Sequence, residues 1–264
     1  MRLQWPAILE HAAALTRSYD TPVTLRQLFY RLVAAELLPN TTSAYKQLSS
    51  RTAEARRGEG FPALVDRTRS IHRGASFESP QEARRWLERV YCRDRTENQD
   101  VSIYLGVEKN GIVAQLESWF GELGLPILAL GGYSSQSYVA EIVEEVTAEA
   151  REAILIYAGD FDPSGEDIQR DFLARTGCFT EVVRVALDAE QVSAYDLPPQ
   201  PGKTGDSRAA GFVRRHGRLV QVELDALAPD VLRRLYWEAI SDYWDSSTFE
   251  VVLEQERHDR KALA

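Results

Sequence analysis

Two aspartates set two residues apart, Asp160 and Asp162, end the stretch AILIYAGDFDPSG over residues 153–165. The apolar, β-favouring run 154–158 reads as a buried strand, so both acids fall just past its carboxyl end. Alternation along an extended chain turns the two side chains to the same side, where their hard oxygens suit Mg²⁺. The same Asp-x-Asp-Pro pattern also serves as a turn with a helix cap. A third acid from elsewhere in the chain decides between these readings.

The elements around that segment supply one. From residue 101 onward, apolar strands alternate with amphipathic helices. Strands are expected over 101–107, 127–130, 154–158 and 182–187, and helices over 110–123, 135–151 and 165–176. This alternation indicates an α/β domain with a mostly parallel, Rossmann-like sheet covered on both faces. In such a sheet the carboxyl ends of the strands line one crevice. The first strand ends in Glu108-Lys109, the second in Gly131-Gly132 and the third in the Asp160 and Asp162 pair. Glu108, Asp160 and Asp162 then make a three-carboxylate metal site. Gly132 lets backbone N–H groups approach a phosphate, and Lys109 is a candidate phosphate contact. With no His or Cys at these strand ends, Mg²⁺ is favoured over Zn²⁺.

The N-terminal part is helical. Helices are expected over 1–18, over a segment opened by the capping-box pair Thr24 and Gln27, and over 43–57. On the second helix Arg26 lies one turn before Tyr30, so a guanidinium and a phenol project together. The alternative for Tyr30 is an aromatic at the edge of a packed helix. Lys46, Arg51, Arg56 and Arg57 are cationic positions of the third helix, and Arg67, Arg69 and Arg73 follow in a basic ribbon over 58–74. Three helices and a ribbon fit a winged helix that binds duplex DNA through its phosphates.

The charge distribution agrees. Net charge is −9, yet residues 1–100 carry 16 Lys and Arg against 12 Asp and Glu, while the remainder carries 15 against 28. A basic half facing phosphate and an acidic half holding metal fit this split, as does an acidic domain that merely sits beside a mildly basic one. Cys92 and Cys178 match no zinc spacing. No apolar run reaches the roughly 18 residues of a membrane span, and the start lacks the pattern of a secretion signal, so no membrane association and a cytoplasmic location are expected.

A strand ending in Glu108 and a later strand ending in D-x-D-x-x-G, Asp160 to Gly165, resemble the Toprim domain of topoisomerases, primases and related nucleases. TLRQLFYR, from Thr24 to Arg31, resembles the active-site segment of the topoisomerase VI A subunit and its meiotic double-strand-break relative, with the short stand-alone "Mini-A" members the most similar. The resemblance covers roughly residues 20 to 190. It implies that Tyr30 attacks a DNA phosphodiester and stays joined to the 5′ end, that Arg26 and Glu108 assist, and that Mg²⁺ is the cofactor. It also implies a homodimer cutting both strands, each tyrosine meeting the other subunit's metal, a nucleoid-associated location, and a separate ATPase for any driven strand passage.

The expected organisation is a winged-helix domain over 1–78, a linking helix over 79–98, and a Toprim domain with a helical extension over 99–264. Two other readings remain: a Toprim endonuclease that activates water, and a non-catalytic DNA-binding protein of a mobile element. In the final third, Glu223 and Asp225 share one face of a short expected strand; they are read as a structural pair or a helix cap and left out of the metal set, the alternative being an extension of the acidic site.

Overall fold

The computed structural model describes residues 3–58, 60–65, 74–202 and 205–263. Three helices open the chain: α1 (Trp5–Ser18), α2 (Leu25–Ala34) and α3 (Thr42–Arg57). Thr24 and Gln27 form both halves of the expected capping box, the Thr24 hydroxyl accepting from Gln27 N–H and the Gln27 carbonyl accepting from Thr24 N–H. The apolar stripe of α2, Leu28, Phe29, Leu32 and Val33, packs with Ile8 and Ala12 of α1 and Leu48 of α3 into one core. Burial of such a stripe, more than helix propensity, holds short helices in place. The strand pairing here among the described residues is a parallel bridge from Thr24 to Val65. Arg67, Arg69 and Arg73, expected in the basic ribbon, lie outside the described residues.

Helix α4 (Pro80–Val90) is capped by Ser79 and connects the two parts. Beyond it the chain is an α/β domain: β1 (Val101–Val107), α5 (Asn110–Phe120), β2 (Ile127–Ala129), α6 (Gln136–Ala148), β3 (Glu152–Ala158), α7 (Pro163–Thr176) and β4 (Glu181–Ala186). The four strands are all parallel in the order β2-β1-β3-β4. Alternation along β3 sends Ile154, Ile156 and Ala158 into a core shared with α5, and Leu155 and Tyr157 into a core shared with α6 and α7. Both faces are therefore covered, as a parallel sheet requires.

The remainder is α8 (Ala189–Ala194), β5 (Gln200–Pro201), α9 (Ala209–His216), β6 (Val220–Gln221), a 3-10 turn at Leu224–Ala226, α10 (Pro229–Ser241) and α11 (Ser246–Leu263). Tyr236 of α10 is wholly buried, and its hydroxyl donates to Gly106 O at 2.6 Å, fastening α10 to the carboxyl-terminal end of β1. No helix among the described residues is long and apolar enough to cross a membrane. The strand order places the topological switch between β1 and β3, because β1 leads through α5 to one side of the sheet and β3 through α7 to the other. The crevice beyond the carboxyl ends of those two strands is where such sheets hold ligands.

Candidate active site at the carboxyl end of the sheet

Glu108 directly follows β1, and Asp160 and Asp162 follow β3, so the switch point brings the three together. All three are buried. Each has one oxygen fixed by a backbone N–H: Glu108 Oε2 accepts from Asp160 N at 2.9 Å, Asp160 Oδ1 from Leu224 N at 2.8 Å, and Asp162 Oδ1 from Gly165 N at 2.7 Å. Such anchoring orients carboxylates and leaves the second oxygen of each for another partner. For Asp162 the anchor is the helix cap of α7, one of the two roles that the sequence pattern allows.

Gly165 has a steric role. A Cβ there would stand 2.5 Å from Asp160 O and 3.0 Å from Glu108 Oε2, so a side chain would collide with the site's floor. This explains the glycine three positions after Asp162.

Lys109 occupies the centre. Its ammonium pairs with Asp160, reaches Glu223 Oε2 at 2.9 Å and lies 3.8 Å from Glu108 Oε1. Burial opposes its charge, yet Asp160, Glu223 and Glu108 together hold its pKa well above that of a free lysine. Burial pushes the Asp160 carboxyl upward, with Glu108 and Glu223 adding to the rise and Lys109 opposing it. Among the described residues no group of three His, Cys, Asp or Glu side chains is set out to hold a metal ion. The carboxylates of Glu108, Asp160 and Glu223 surround the Lys109 ammonium instead. Carboxylate oxygens are the donor type that a hard cation such as Mg²⁺ takes, and here Lys109 supplies the positive charge beside Glu108 and Asp160.

The N-terminal helices reach this cluster through residues distant in sequence. Phe161 and Val222 exchange two backbone hydrogen bonds, each 3.0 Å, which pins the segment after β6 against the end of β3. Glu223 and Asp225 are thereby held at the site, and Arg26 bridges them: its Nη2 donates to Glu223 Oε2 at 2.7 Å and its Nε to Asp225 Oδ2 at 3.0 Å. Asp225 therefore caps no helix; it is a buried ion-pair partner, and burial raises its carboxyl despite Arg26. For Glu223, burial is outweighed by Lys109 and Arg26, and the carboxyl is held below its usual range.

Arg26 also lies over the Tyr30 ring, 5.0 Å from its centroid. Tyr30 stands edge-on to Phe29 with centroids 5.3 Å apart, so the packed-aromatic role and the site-facing role are again combined. Burial and the charges of Glu223 and Asp225 raise its phenol, while Arg26 and Lys109 oppose the shift. The phenol thus stands beside the Arg26–Glu223 ion pair. Two further bonds set α2 on the α/β domain: Gln27 Nε2 donates to Gln115 Oε1 at 2.6 Å, and Arg31 Nη1 to Ala226 O at 2.6 Å. The resemblance implies a tyrosine that meets a second subunit's acids; here Tyr30 lies in the electrostatic reach of its own chain's cluster.

Other expected positions lie apart from this centre. Lys46, Arg51, Arg56 and Arg57 are carried on α3, where Arg51 stacks on Trp5 at 4.7 Å. Gly132 adopts φ +107°, and a Cβ built there would meet nothing within 4 Å, so this backbone is free to approach a ligand. Arg67 and Arg69 lie outside the described residues. Glu223 and Asp225 join the site although the sequence pattern points to a structural pair or a cap; their shared face on one short stretch is the available signal, and Arg26 gives it meaning only in three dimensions. Compared with known proteins, the sequence matches no family model and no curated protein.

Proposed function

We propose that the protein is a Mg²⁺-dependent DNA-cleaving transesterase, similar to the topoisomerase VI A subunit, in which Tyr30 is the nucleophile. The observation that carries this reading is the Arg26 bridge: the guanidinium that covers the Tyr30 ring is bonded to Glu223, which also holds Lys109 beside Asp160. A phenol, a buried acid cluster and two cations thus form one connected site.

The Tyr30 oxygen attacks a backbone phosphorus, forming the tyrosyl–phosphate bond and releasing the 3′ oxygen, while the protein keeps the 5′ end. Its proton passes to Glu223, the leading negative charge acting on the phenol, and from there to the released 3′ oxygen, which leaves as a hydroxyl. Arg26 and Lys109 exchange carboxylate partners for phosphate oxygens, a competition that guanidinium and ammonium groups readily support. Glu108, Asp160 and Asp162 would hold Mg²⁺, which supplies charge neutralisation at the attacked phosphate. Each copy cuts one strand, so a homodimer makes the double-strand break, and strand passage draws on a separate ATPase. The three N-terminal helices, with the cations of α3, fit a winged-helix contact with the duplex.

A second reading, hydrolysis by activated water, draws on the upward shift of the Tyr30 phenol, which disfavours its nucleophilic form. Incubation with supercoiled DNA and Mg²⁺, followed by denaturation with and without protease, separates the two. Ends that enter a gel only after protease treatment support transesterification; ends that are free without it support hydrolysis.

A further inference from the structure

The acidic half of the chain contains an island of opposite sign: between Arg208 and Leu219 there are four arginines and no Asp or Glu. The fold places three of them beside a fourth from another helix. Arg208, Arg214 and Arg215, in and before α9, line a groove of about 490 Å³ together with Arg170 of α7; Glu166 and Asp167 are its acids. The side chains of Arg170 and Arg215 are 66% and 58% exposed. Arg214 is exposed on the same helix.

The groove is built onto the candidate active site. Helix α7 begins at Pro163, immediately after Asp162. His216 ends α9 against the Phe161 ring, 4.9 Å between centroids, and Glu166 ties Arg215 and His216 to α7. Arg208 closes the other end, paired with Asp206 at 2.7 and 2.8 Å and donating to Ser164 Oγ at 2.9 Å and to the Tyr133 hydroxyl at 2.6 Å. Tyr133 follows Gly132, so the arginines, the start of α7 and the glycine loop share one rim of the crevice.

We propose that the Arg170–Arg208–Arg214–Arg215 groove is a second DNA-binding surface, which takes the phosphate backbone of duplex DNA as it leaves the cleavage site. This rests on the proposed function and adds a path for the DNA across the α/β domain. The exposed guanidiniums of Arg170, Arg214 and Arg215, beside the small residues Ala210 and Gly211, suit a line of phosphates better than a compact anion. Such contacts carry little sequence preference and depend strongly on salt.

The test is binding of a labelled duplex oligonucleotide by fluorescence anisotropy over a range of KCl, using full-length protein. The double variant Arg214→Gln/Arg215→Gln is expected to raise Kd about tenfold and to reduce the slope of log Kd against log salt by about 2. The charge-matched control Arg234→Gln/Arg257→Gln, on α10 and α11, is expected to leave both unchanged. Thermal melts verify that each variant is folded, and Arg170→Gln, on the other wall, gives a second reading with a slope change of about 1. Wild-type binding that the groove variants leave unaltered, or alter no more than the control does, overturns the groove. Wild-type protein that does not bind duplex DNA overturns the proposed function together with it.

Discussion

Arg26 and Glu223 are separated by 197 positions in the chain, yet their side chains meet at 2.7 Å, and the bond joins the helix carrying Tyr30 to the carboxylates of the sheet. Glu223 is also bonded to Lys109, so it stands between the phenol and the acid cluster. This contact makes one site of two structural units.

A double-mutant cycle measures that contact. Arg26 is 47% exposed along its side chain, so solvent screens the pair, and a coupling of about 1 kcal/mol between Arg26→Ala and Glu223→Gln is expected in urea unfolding. Arg26→Ala alone is expected to cost more than Glu223→Gln, because it also leaves the buried Asp225 without its cation. Equal single costs with no coupling would show that the bridge does not join the two units.

Gly165→Ala tests the floor of the site. The added methyl meets the Asp160 carbonyl, a backbone atom that cannot swing aside, so a loss of about 1–3 kcal/mol in stability is expected. Weaker Mg²⁺ binding by calorimetry should accompany it, since Glu108 and Asp160 shift together. A variant as stable as wild type with normal Mg²⁺ binding would contradict the packing described here.

Lys109→Met removes the ammonium from among three carboxylates. The apo protein is expected to lose stability, as uncompensated buried charge is costly, and to gain affinity for Mg²⁺ or Mn²⁺. Added Mg²⁺ should then raise the melting temperature of the variant more than that of wild type. An equal or smaller rise would show that Lys109 does not stand in for a cation.

Acid stability is set elsewhere. Glu256 of α11 accepts from Arg95 and Arg93 N–H and is ion-paired with Arg260, and the Arg95 hydrogen bond leads in holding its carboxyl down to about 2. A folded-state pKa depressed in this way stabilises above the unfolded value, near 4.5, and the gain is lost as pH falls through the folded one. Wild type should lose roughly 2 to 3 kcal/mol from this group between about pH 5 and pH 2, and Glu256→Gln should flatten that part of the stability profile. Parallel profiles would sink the assignment.

The sheet is legible in the sequence because its strands are apolar runs bounded by turns, and β1 runs over residues 101–107 as expected. Glu108 and Asp160 follow from it, since strand ends converge wherever a parallel sheet changes direction. Glu223 and Asp225 are legible only as an alternative extension of the acidic site, not as partners of Arg26 and Lys109. Their stretch carries a two-residue strand and a 3-10 turn, too short for a periodic signal, and their partner Arg26 comes from the far end of the chain. The arginines around α9 are hidden differently: averaged over an acidic half, four positive charges vanish, and only folding sets them beside Arg170. Of the basic ribbon, Arg67 and Arg69 lie outside the described residues, so the winged-helix comparison rests on α1, α2 and α3.

The most direct test of Tyr30 as the nucleophile is to trap the cleavage product on end-labelled duplex DNA with Mg²⁺, digest the protein with trypsin, and identify by mass spectrometry the peptide bound to the 5′ end. The expected result is a nucleotide adduct on Tyr30, within the peptide QLFYR, and no adduct or cleavage with Tyr30→Phe. Cleavage that persists in Tyr30→Phe with free 5′ phosphates would contradict it.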